Sequence, residues 1–310
     1  MRGNTPDRRW GADGLRVCLI VEQGYGPTSL PLAVGDRLRS QGHSVTVLEP
    51  HSTATRTSGL IACSSARYDV TVLKTASEGP GRSLIEAADA SGVVTINDAR
   101  AIRQVRDKTV AAALARAHGI PFPITYFLAK PELLTQVPAE LYPLVVKPAN
   151  GSANRGIHLI ERPETLLEML RGGALQLDGF LIAQPYARNS GFDVKAYNAG
   201  GHVFALRRPS PLSDDDAEDE PIEVTPELRE LILHIGRVFN LDIYGVDLLK
   251  TPEGWVAVDV NDFPSFGHVP EAVVWVADTI VDVTLRRLGA PRRLRPMFTL
   301  GGSAAGPEVS

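Results

Sequence analysis

The sequence is poor in cysteine and carries no strong excess of either charge. Its 310 residues include two cysteines, Cys18 and Cys63, which form neither a metal-ligand spacing nor a disulfide framework. A formal net charge of −4 excludes a global field that attracts nucleic acid or anionic membrane. Because cysteine is scarce and the polar amino terminus has no signal peptide, the sequence predicts a cytoplasmic protein.

Long hydrophobic runs and internal repeats are also missing. The longest apolar helix candidate, residues 271–288, is interrupted by Asp278 and Asp282, so no segment is expected to span a bilayer. The two glycines in EQGYGPTSL, residues 22–30, do not make a dinucleotide-binding fingerprint, and a plain turn is favoured there over a phosphate loop. The chain is nevertheless too long for one compact core, which predicts two or three lobes.

Short apolar runs are present instead, and they alternate with segments compatible with helices. This alternation predicts a small parallel α/β lobe over residues 15–97. Asn97 or Asp98 is expected to cap a single helix that continues to about His118. Residues 1–14 look disordered, and residues 291–310 read as a flexible tail.

An apolar hairpin at residues 244–266, YGVDLLKTPEGWVAVDVNDFPSF, contains unexpected acids. If its turn is centred on Glu253, opposite residues have numbers that sum to 506, so Asp247 faces Asp259 at a Cβ distance of about 5 Å. Asn261 then shares their face, opposite Gly245. The other face of the hairpin is expected to be apolar and to meet the core, with Val246, Leu248, Val258 and Val260.

Two opposed carboxylates repel each other, and a divalent cation would remove the conflict. Asp247, Asp259 and Asn261 supply the hard oxygen ligands that suit Mg²⁺, with phosphate oxygens and waters completing its shell. The alternative is a solvated hairpin face on which two acids happen to meet. The sequence therefore suggests a metal triad without proving it.

Several basic and polar residues could bind the phosphates that accompany such a metal. Lys147 ends an apolar strand, and the loop after it, NGSANRG at 150–156, is either an anion-binding nest or an ordinary turn. Lys108 lies away from the apolar stripe of its helix, where alone it reads as a surface lysine. The apolar strand that ends at Gln184–Tyr186 is broken at Pro185. Either the break frees backbone donors and acceptors that could bind the edge of an adenine ring, or the proline marks an edge strand. A hairpin at 193–208 carries Lys195 and the pair Arg207–Arg208, of which only one arginine can face a site.

The order of these motifs resembles the ATP-grasp superfamily over residues from about 15 to 290. The similar segments are NDARAIRQVRDK (97–108), PLVVKP (143–148), NGSANRG, LIAQPY (181–186), GFDVKAYNAGGHVFALRR (191–208) and the acidic hairpin. The resemblance implies an α/β fold in which two α+β lobes clamp ATP behind an N-terminal parallel lobe. It implies domains at 15–97, 98–188 and 189–290, the last with the metal site.

The resemblance also implies roles for individual residues, with ATP and Mg²⁺ or Mn²⁺ as cofactors. Arg208 and Lys195 match catalytic positions, and Asp247, Asp259 and Asn261 match the metal ligands, although Asp259 is more often Glu in the ligase branches. The matched nucleotide-binding positions are Lys108, Lys147, Ser152, Ala153, Gln184, Pro185, Tyr186 and Asp193.

Two branches of the superfamily remain open at this stage. The acidic hairpin and GFDVKAY resemble RimK-type and glutathione-synthetase-type ligases, which join a carboxylate to an amine through an acyl phosphate. RRPSPL (207–212) and DVNDFPSFGHVP (259–270) resemble inositol trisphosphate kinases, although the histidine expected in their phosphate loop is displaced. The ligase is the leading hypothesis, and an ATP-binding protein without turnover is the third. Lys74 and His268 are expected near the acceptor substrate, and no nucleic acid or membrane partner is expected.

Overall fold

The structure is a computed structural model, and its described residues form three sheets. It describes residues 14–22, 24–26, 28–60, 68–74, 79–150, 156–173, 175, 179–189, 191–210, 212 and 218–289. Among these residues, no helix is both long enough and apolar enough to cross a membrane. The predicted α/β class is confirmed by one parallel sheet and two antiparallel sheets.

The first sheet is parallel, as the alternation of strands and helices predicts. Its strand order is β2-β1-β3-β4. Strands β1 and β3 are buried almost throughout, which explains their continuous apolar sequences. The elements of this lobe are β1 (Arg16–Val21), α1 (Leu30–Ser40), β2 (Ser44–Leu48), a 3₁₀ turn (Thr57–Leu60), β3 (Val70–Lys74), α2 (Gly81–Ala90) and β4 (Val94–Ile96).

The single helix predicted from Asp98 to His118 is wrong, because two helices occupy this segment. Helix α3 (Ala99–Arg106) is followed by Asp107, and α4 (Lys108–Ala117) begins directly after that residue. Asp107 has extended backbone angles, and its side chain accepts hydrogen bonds from the amides of Thr109 and Val110, so it caps α4. The break makes Lys108 the first residue of a helix rather than a residue on the side of one.

The second sheet is antiparallel and has the order β5-β8-β6-β7. Helix α5 and two 3₁₀ turns pack with it around an apolar cluster that includes Leu144, Val146 and Leu181. The elements are β5 (Tyr126–Leu128), two 3₁₀ turns (Pro131–Gln136 and Ala139–Leu141), β6 (Leu144–Pro148), β7 (His158–Ile160), α5 (Pro163–Gly172) and β8 (Leu181–Pro185).

The third sheet has the order β11-β10-β9-β12-β13 and holds the acidic hairpin at one edge. The predicted hairpin turn at residues 199–201 is confirmed, because β9 and β10 are joined by Gly200 and Gly201. The elements are β9 (Phe192–Ala199), β10 (His202–Pro209), β11 (Glu220–Pro221), α6 (Pro226–Phe239), β12 (Ile243–Thr251), β13 (Gly254–Asp262) and α7 (Ala272–Gly289).

The parallel lobe and the third sheet share one hydrophobic core. Val17 and Val72 of the parallel sheet belong to the same buried cluster as Ile243 and Val276. The buried amide of Asn97 joins the two lobes further, because it donates to the carbonyl oxygen of Ile243 and accepts from the amides of residues 242 and 243. The carboxyl ends of β1 and β3 are therefore held against the strands that carry the acids.

A β-bulge sets the register of the acidic hairpin. Thr251 pairs with Gly254, so the turn has two residues and is not centred on Glu253 as expected. An extra residue, Val258, then shifts the ladder by one position, and Asp247 lies opposite Asp259 as the sequence predicts. The assignment of Val258 to the apolar face is wrong for this reason, because Ala257 pairs with Leu248 and fills that place in the core.

Candidate active site

Lys108 and Asp259 meet where the start of helix α4 faces strand β13. The Lys108 ammonium donates to both carboxylate oxygens of Asp259, at 2.8 and 2.9 Å. Burial by itself would raise the pKa of Asp259, but the charges of Lys108 and Lys147 outweigh it and hold that pKa below its ordinary value. The break at Asp107 makes this contact possible, since it directs Lys108 toward the hairpin.

Lys147 is the penultimate residue of strand β6 and points at the bulge. Its ammonium donates to the carbonyl oxygen of Val258 at 3.1 Å, and the residue is 8 % exposed. Burial lowers the pKa of Lys147, and the negative charge of Asp259 acts in the opposite direction. A buried ammonium beside one carbonyl retains two further N–H donors, which suits it to bind an anion.

Asp247 is the second acid of the hairpin, and two cations approach it. Lys195 lies opposite Asp247 on the neighbouring strand β9, and its Nζ is 3.0 Å from the carboxylate oxygen Oδ1. A guanidinium nitrogen of Arg208 lies 3.5 Å from the same oxygen. Arg207, its neighbour, faces outward and pairs with Glu220, so only one arginine reaches the site, as the sequence predicts.

Asp193 completes a set of three carboxylates and is opposite Arg208 on strand β10. It is 6 % exposed, and its Oδ1 accepts no hydrogen bond from the described residues. Burial raises the pKa of Asp193 to about 6, and the positive charge of Arg208 only partly offsets this effect. A buried carboxylate oxygen without a donor costs free energy, which a ligand that donates a hydrogen bond would recover.

The donor set of the hairpin fits a divalent cation that arrives with phosphate. Asp247 and Asp259 are paired across the ladder, and Asn261 lies two residues further along the same strand, opposite Gly245. The described residues contain no group of three His, Cys, Asp or Glu side chains able to hold a metal alone. An amide and two carboxylates would therefore need phosphate oxygens to complete a magnesium shell. The triad remains a prediction.

Cations outnumber acids around these strands. Four basic side chains, Lys108, Lys147, Lys195 and Arg208, accompany the three carboxylates. In this structure the mutual repulsion of Asp247 and Asp259 is offset by these cations. The same four cations are suited to the larger negative charge of a polyphosphate.

The residues predicted to read adenine lie at the end of β8. Gln184 is buried, and its side-chain amide donates to the hydroxyl of Thr125 at 2.9 Å. Tyr186 donates its backbone N–H to the carbonyl of Pro143 at 2.8 Å, so the break at Pro185 does not free that donor. Ser152 and Ala153, predicted in the phosphate loop, and most of the acidic segment 213–220 lie outside the described residues.

Sequence reasoning missed the most buried ion pair of this region. Arg106 and Asp262 form two parallel hydrogen bonds of 2.9 Å, and their side chains are 6 % and 7 % exposed. Arg106 is the last residue of α3, and Asp262 directly follows Asn261. The available signal was a third acid at the end of strand β13, directly after Asn261 and opposite the buried Tyr244.

The two residues expected near the acceptor have different environments. Lys74, at the end of β3, is 9 % exposed and donates to the carbonyl oxygen of Phe263 at 2.5 Å. His268 has a side chain that is 63 % exposed and lies 3.5 Å from Asp219. Only Lys74 therefore lies in a buried position beside the hairpin.

Residues 105–282 match the sequence profile of the RimK-like ATP-grasp domain, which is more than half of the chain. Among curated proteins, a probable alpha-L-glutamate ligase of Methanococcoides burtonii is 28% identical over 202 residues, covering 62% of this chain and 67% of the relative. Probable alpha-L-glutamate ligase 2 of Shewanella amazonensis is 28% identical over 229 residues, covering 69% and 74% respectively.

Solved structures share the fold at lower identity. A RimK-domain ATP-grasp protein of Sphaerobacter thermophilus superposes with a TM-score of 0.69 at 19% identity, covering 86% of this chain and 98% of that structure. A D-alanine–D-alanine ligase of Bacillus anthracis, complexed with ATP, gives a TM-score of 0.63 at 15% identity, with coverages of 88% and 98%. At such identities the superpositions carry the fold alone.

Proposed function

The chain belongs to the RimK-like ATP-grasp family, and from this premise we propose that it is an ATP-dependent ligase that joins a carboxylate to an amine. The observation that supports this most directly is the convergence of four cations on the opposed pair Asp247 and Asp259. The curated relatives are named alpha-L-glutamate ligases, which makes L-glutamate the first amine substrate to test.

Asp247, Asp259 and Asn261 would hold Mg²⁺, and Lys108 and Lys147 would bind the phosphates. When bound, the cation would neutralise part of the negative charge on the phosphates of ATP. Lys108 would leave Asp259 and move to a phosphate oxygen, since one ammonium cannot hydrogen-bond strongly to both groups at once. Lys147 needs less rearrangement, because within the described part of the chain its ammonium bonds the carbonyl of Val258 and no other group.

Lys195 and Arg208 would act at the transferred phosphoryl group. Both cations lie within 3.5 Å of Asp247 and can turn toward charge that develops on the phosphoryl oxygens. Phosphoryl transfer to the substrate carboxylate yields an acyl phosphate and ADP. The amine then attacks the acyl carbon, the C–O bond to phosphate breaks, and inorganic phosphate leaves while the ammonium loses its proton.

Hydroxylamine trapping tests this proposal. The purified protein is incubated with Mg-ATP, a panel of carboxylates that includes peptides, and hydroxylamine in place of the amine, and ADP and hydroxamate are measured together. We expect both products to appear in equal amounts with at least one carboxylate. ADP with a phosphorylated alcohol and no hydroxamate would instead identify a kinase, and ATP binding without ADP would identify a protein without turnover.

Two variants make the assay specific. Asp259→Asn keeps the size of the side chain but removes the charge, and it should abolish both products. Lys250→Met is the matched control, because Lys250 is exposed and stacks on the ring of Trp255 at 4.7 Å, away from the carboxylates. Loss of activity in the control variant would mean that the assay reports on folding rather than on the site.

A further inference from the structure

Lys74 is a buried cation that the proposed chemistry does not use. It ends β3, at the carboxyl edge of the parallel sheet, where ligands bind in open α/β sheets. It is 9 % exposed, and its one hydrogen bond to the described residues goes to the carbonyl oxygen of Phe263. Phe263 follows the acidic hairpin, so the contact brings Lys74 next to the proposed metal ligands.

Among the described residues, no carboxylate forms an ion pair with Lys74. Asp262 is near enough to act on it electrostatically, but both oxygens of Asp262 are bonded to Arg106. Arg106 and Lys195 are also near, and both add positive charge. Burial lowers the pKa of Lys74 to about 8, and Asp262 only partly opposes this effect.

Aromatic rings form two walls of this position. The ammonium lies 5.9 Å from the ring centre of Tyr25 and 5.5 Å from that of Phe263. Such walls stabilise a cation modestly, but they offer no strong acceptor for its two remaining N–H donors. A charged group with unused donors in a buried place is expensive unless a ligand supplies an anion.

We propose that Lys74 determines substrate specificity by binding a non-reacting carboxylate of the amine substrate. This inference rests on the proposed ligase function and deepens it. The reacting amine has to reach the acyl phosphate formed beside Arg208 and Lys195, whereas Lys74 approaches the same region from the parallel lobe. An amine substrate that carries an anionic group can therefore bridge the two lobes, and one without an anionic group cannot.

The test measures binding of L-glutamate to the protein saturated with Mg²⁺ and AMPPNP, by isothermal titration calorimetry. Lys74→Met removes the charge at nearly constant length, and we expect L-glutamate to bind it at least tenfold more weakly, as the loss of a hydrogen bond between charged groups requires. Lys74→Arg should retain more affinity than Lys74→Met. Lys250→Met should bind L-glutamate as the wild type does.

Two amide derivatives of L-glutamate identify which of its carboxylates Lys74 binds. L-glutamine lacks the side-chain carboxylate, and L-isoglutamine lacks the α-carboxylate. We expect the wild type to bind one of them much more weakly than L-glutamate, and this difference should disappear in Lys74→Met. The inference is overturned if Lys74→Met binds L-glutamate as tightly as the wild type, if neither amide is discriminated, or if the wild type does not bind L-glutamate at all.

Two further readouts separate this role from others. Thermal unfolding without ligand should occur at the same or a higher temperature in Lys74→Met, because the variant removes a buried charge; a purely structural lysine would give a lower temperature. Affinity for AMPPNP should be unchanged. If AMPPNP itself fails to bind the wild type, the proposed function fails, whereas normal AMPPNP binding without an effect of Lys74→Met on L-glutamate affinity removes only the specificity role.

Discussion

Two acids three residues apart on strand β13 form ion pairs that differ in geometry and burial. Asp262 binds Arg106 with two parallel hydrogen bonds, and both side chains are almost fully buried. Asp259 binds Lys108, but the two side chains are 21% and 14% exposed, and the carboxylate also faces Asp247. In the first pair both oxygens of the carboxylate are occupied, because the bidentate geometry gives each of them a hydrogen bond. The second can exchange partners, which a site for ions requires.

The comparison supports the proposal that charge on this strand serves stability at Asp262 and chemistry at Asp259. A buried pair is strongly destabilised when one partner is removed, because the other charge is left unpaired. A partly exposed lysine–carboxylate pair contributes little, because water solvates either partner when it is alone. Substitutions at the two acids should therefore change different properties of the protein.

The largest effect is expected for Asp259→Asn on turnover. This variant removes one of the two proposed carboxylate ligands, and we expect ADP release to fall by about 10³-fold, the magnitude typical of losing a main electrostatic contact in a transition state. The free energy of unfolding should change by less than about 1 kcal/mol. ADP release and urea unfolding check these outcomes, and near-normal turnover would remove Asp259 from the metal site.

The reverse result is expected for Asp262→Asn. The free energy of unfolding should fall by about 3 kcal/mol, because Arg106 loses its charged partner in a buried place. Any folded fraction should still bind AMPPNP with an affinity within a few-fold of the wild type. Urea unfolding and calorimetry measure the two quantities. If Asp262→Asn were as stable as the wild type but unable to bind nucleotide, the division between the two acids would be wrong.

Lys74 sharpens the comparison, because it is a buried cation that forms no ion pair with a carboxylate of the described residues. Its pKa in the folded protein is about 8, below the ordinary value of 10.5, so the unfolded chain binds more protons between these two pH values. Stability contributed by this group therefore rises with pH through that window, by at most about 3 kcal/mol. Unfolding measured against pH in the wild type and in Lys74→Met should reveal the rise as a difference between the two proteins.

The smallest effect is expected for the coupling between Lys108 and Asp259. A double-mutant cycle with Lys108→Met and Asp259→Asn should give a coupling energy for unfolding below about 1 kcal/mol, since both side chains contact solvent. The cycle of Arg106→Met and Asp262→Asn should give a clearly larger value. Equal coupling energies in the two cycles would contradict the assignment of the pairs to chemistry and to stability.

The alternation of apolar runs and helical segments predicted the parallel lobe, because it is a local pattern. The opposition of Asp247 and Asp259 was predicted from a turn centred on Glu253, and it holds because the extra residue Val258 compensates for the shorter turn. The break at Asp107 was not predicted, since its cap competes with a helical pattern that continues on both sides. The Arg106–Asp262 pair was also missed, because a contact between residues 156 positions apart leaves no local signature. Whether Asp247, Asp259 and Asn261 hold a metal is still a prediction from register and resemblance.

The bulge at Val258 has a consequence for how related chains should be aligned. A three-residue loop with a regular ladder would place the same two acids opposite each other, as would the two-residue loop with one extra residue found in this chain. A one-residue insertion at the tip therefore compensates for a deletion at position 258 and keeps the acids opposite each other. A regular ladder, however, would have no additional carbonyl to accept a hydrogen bond from Lys147. The two hairpin geometries are therefore expected to hold that lysine differently.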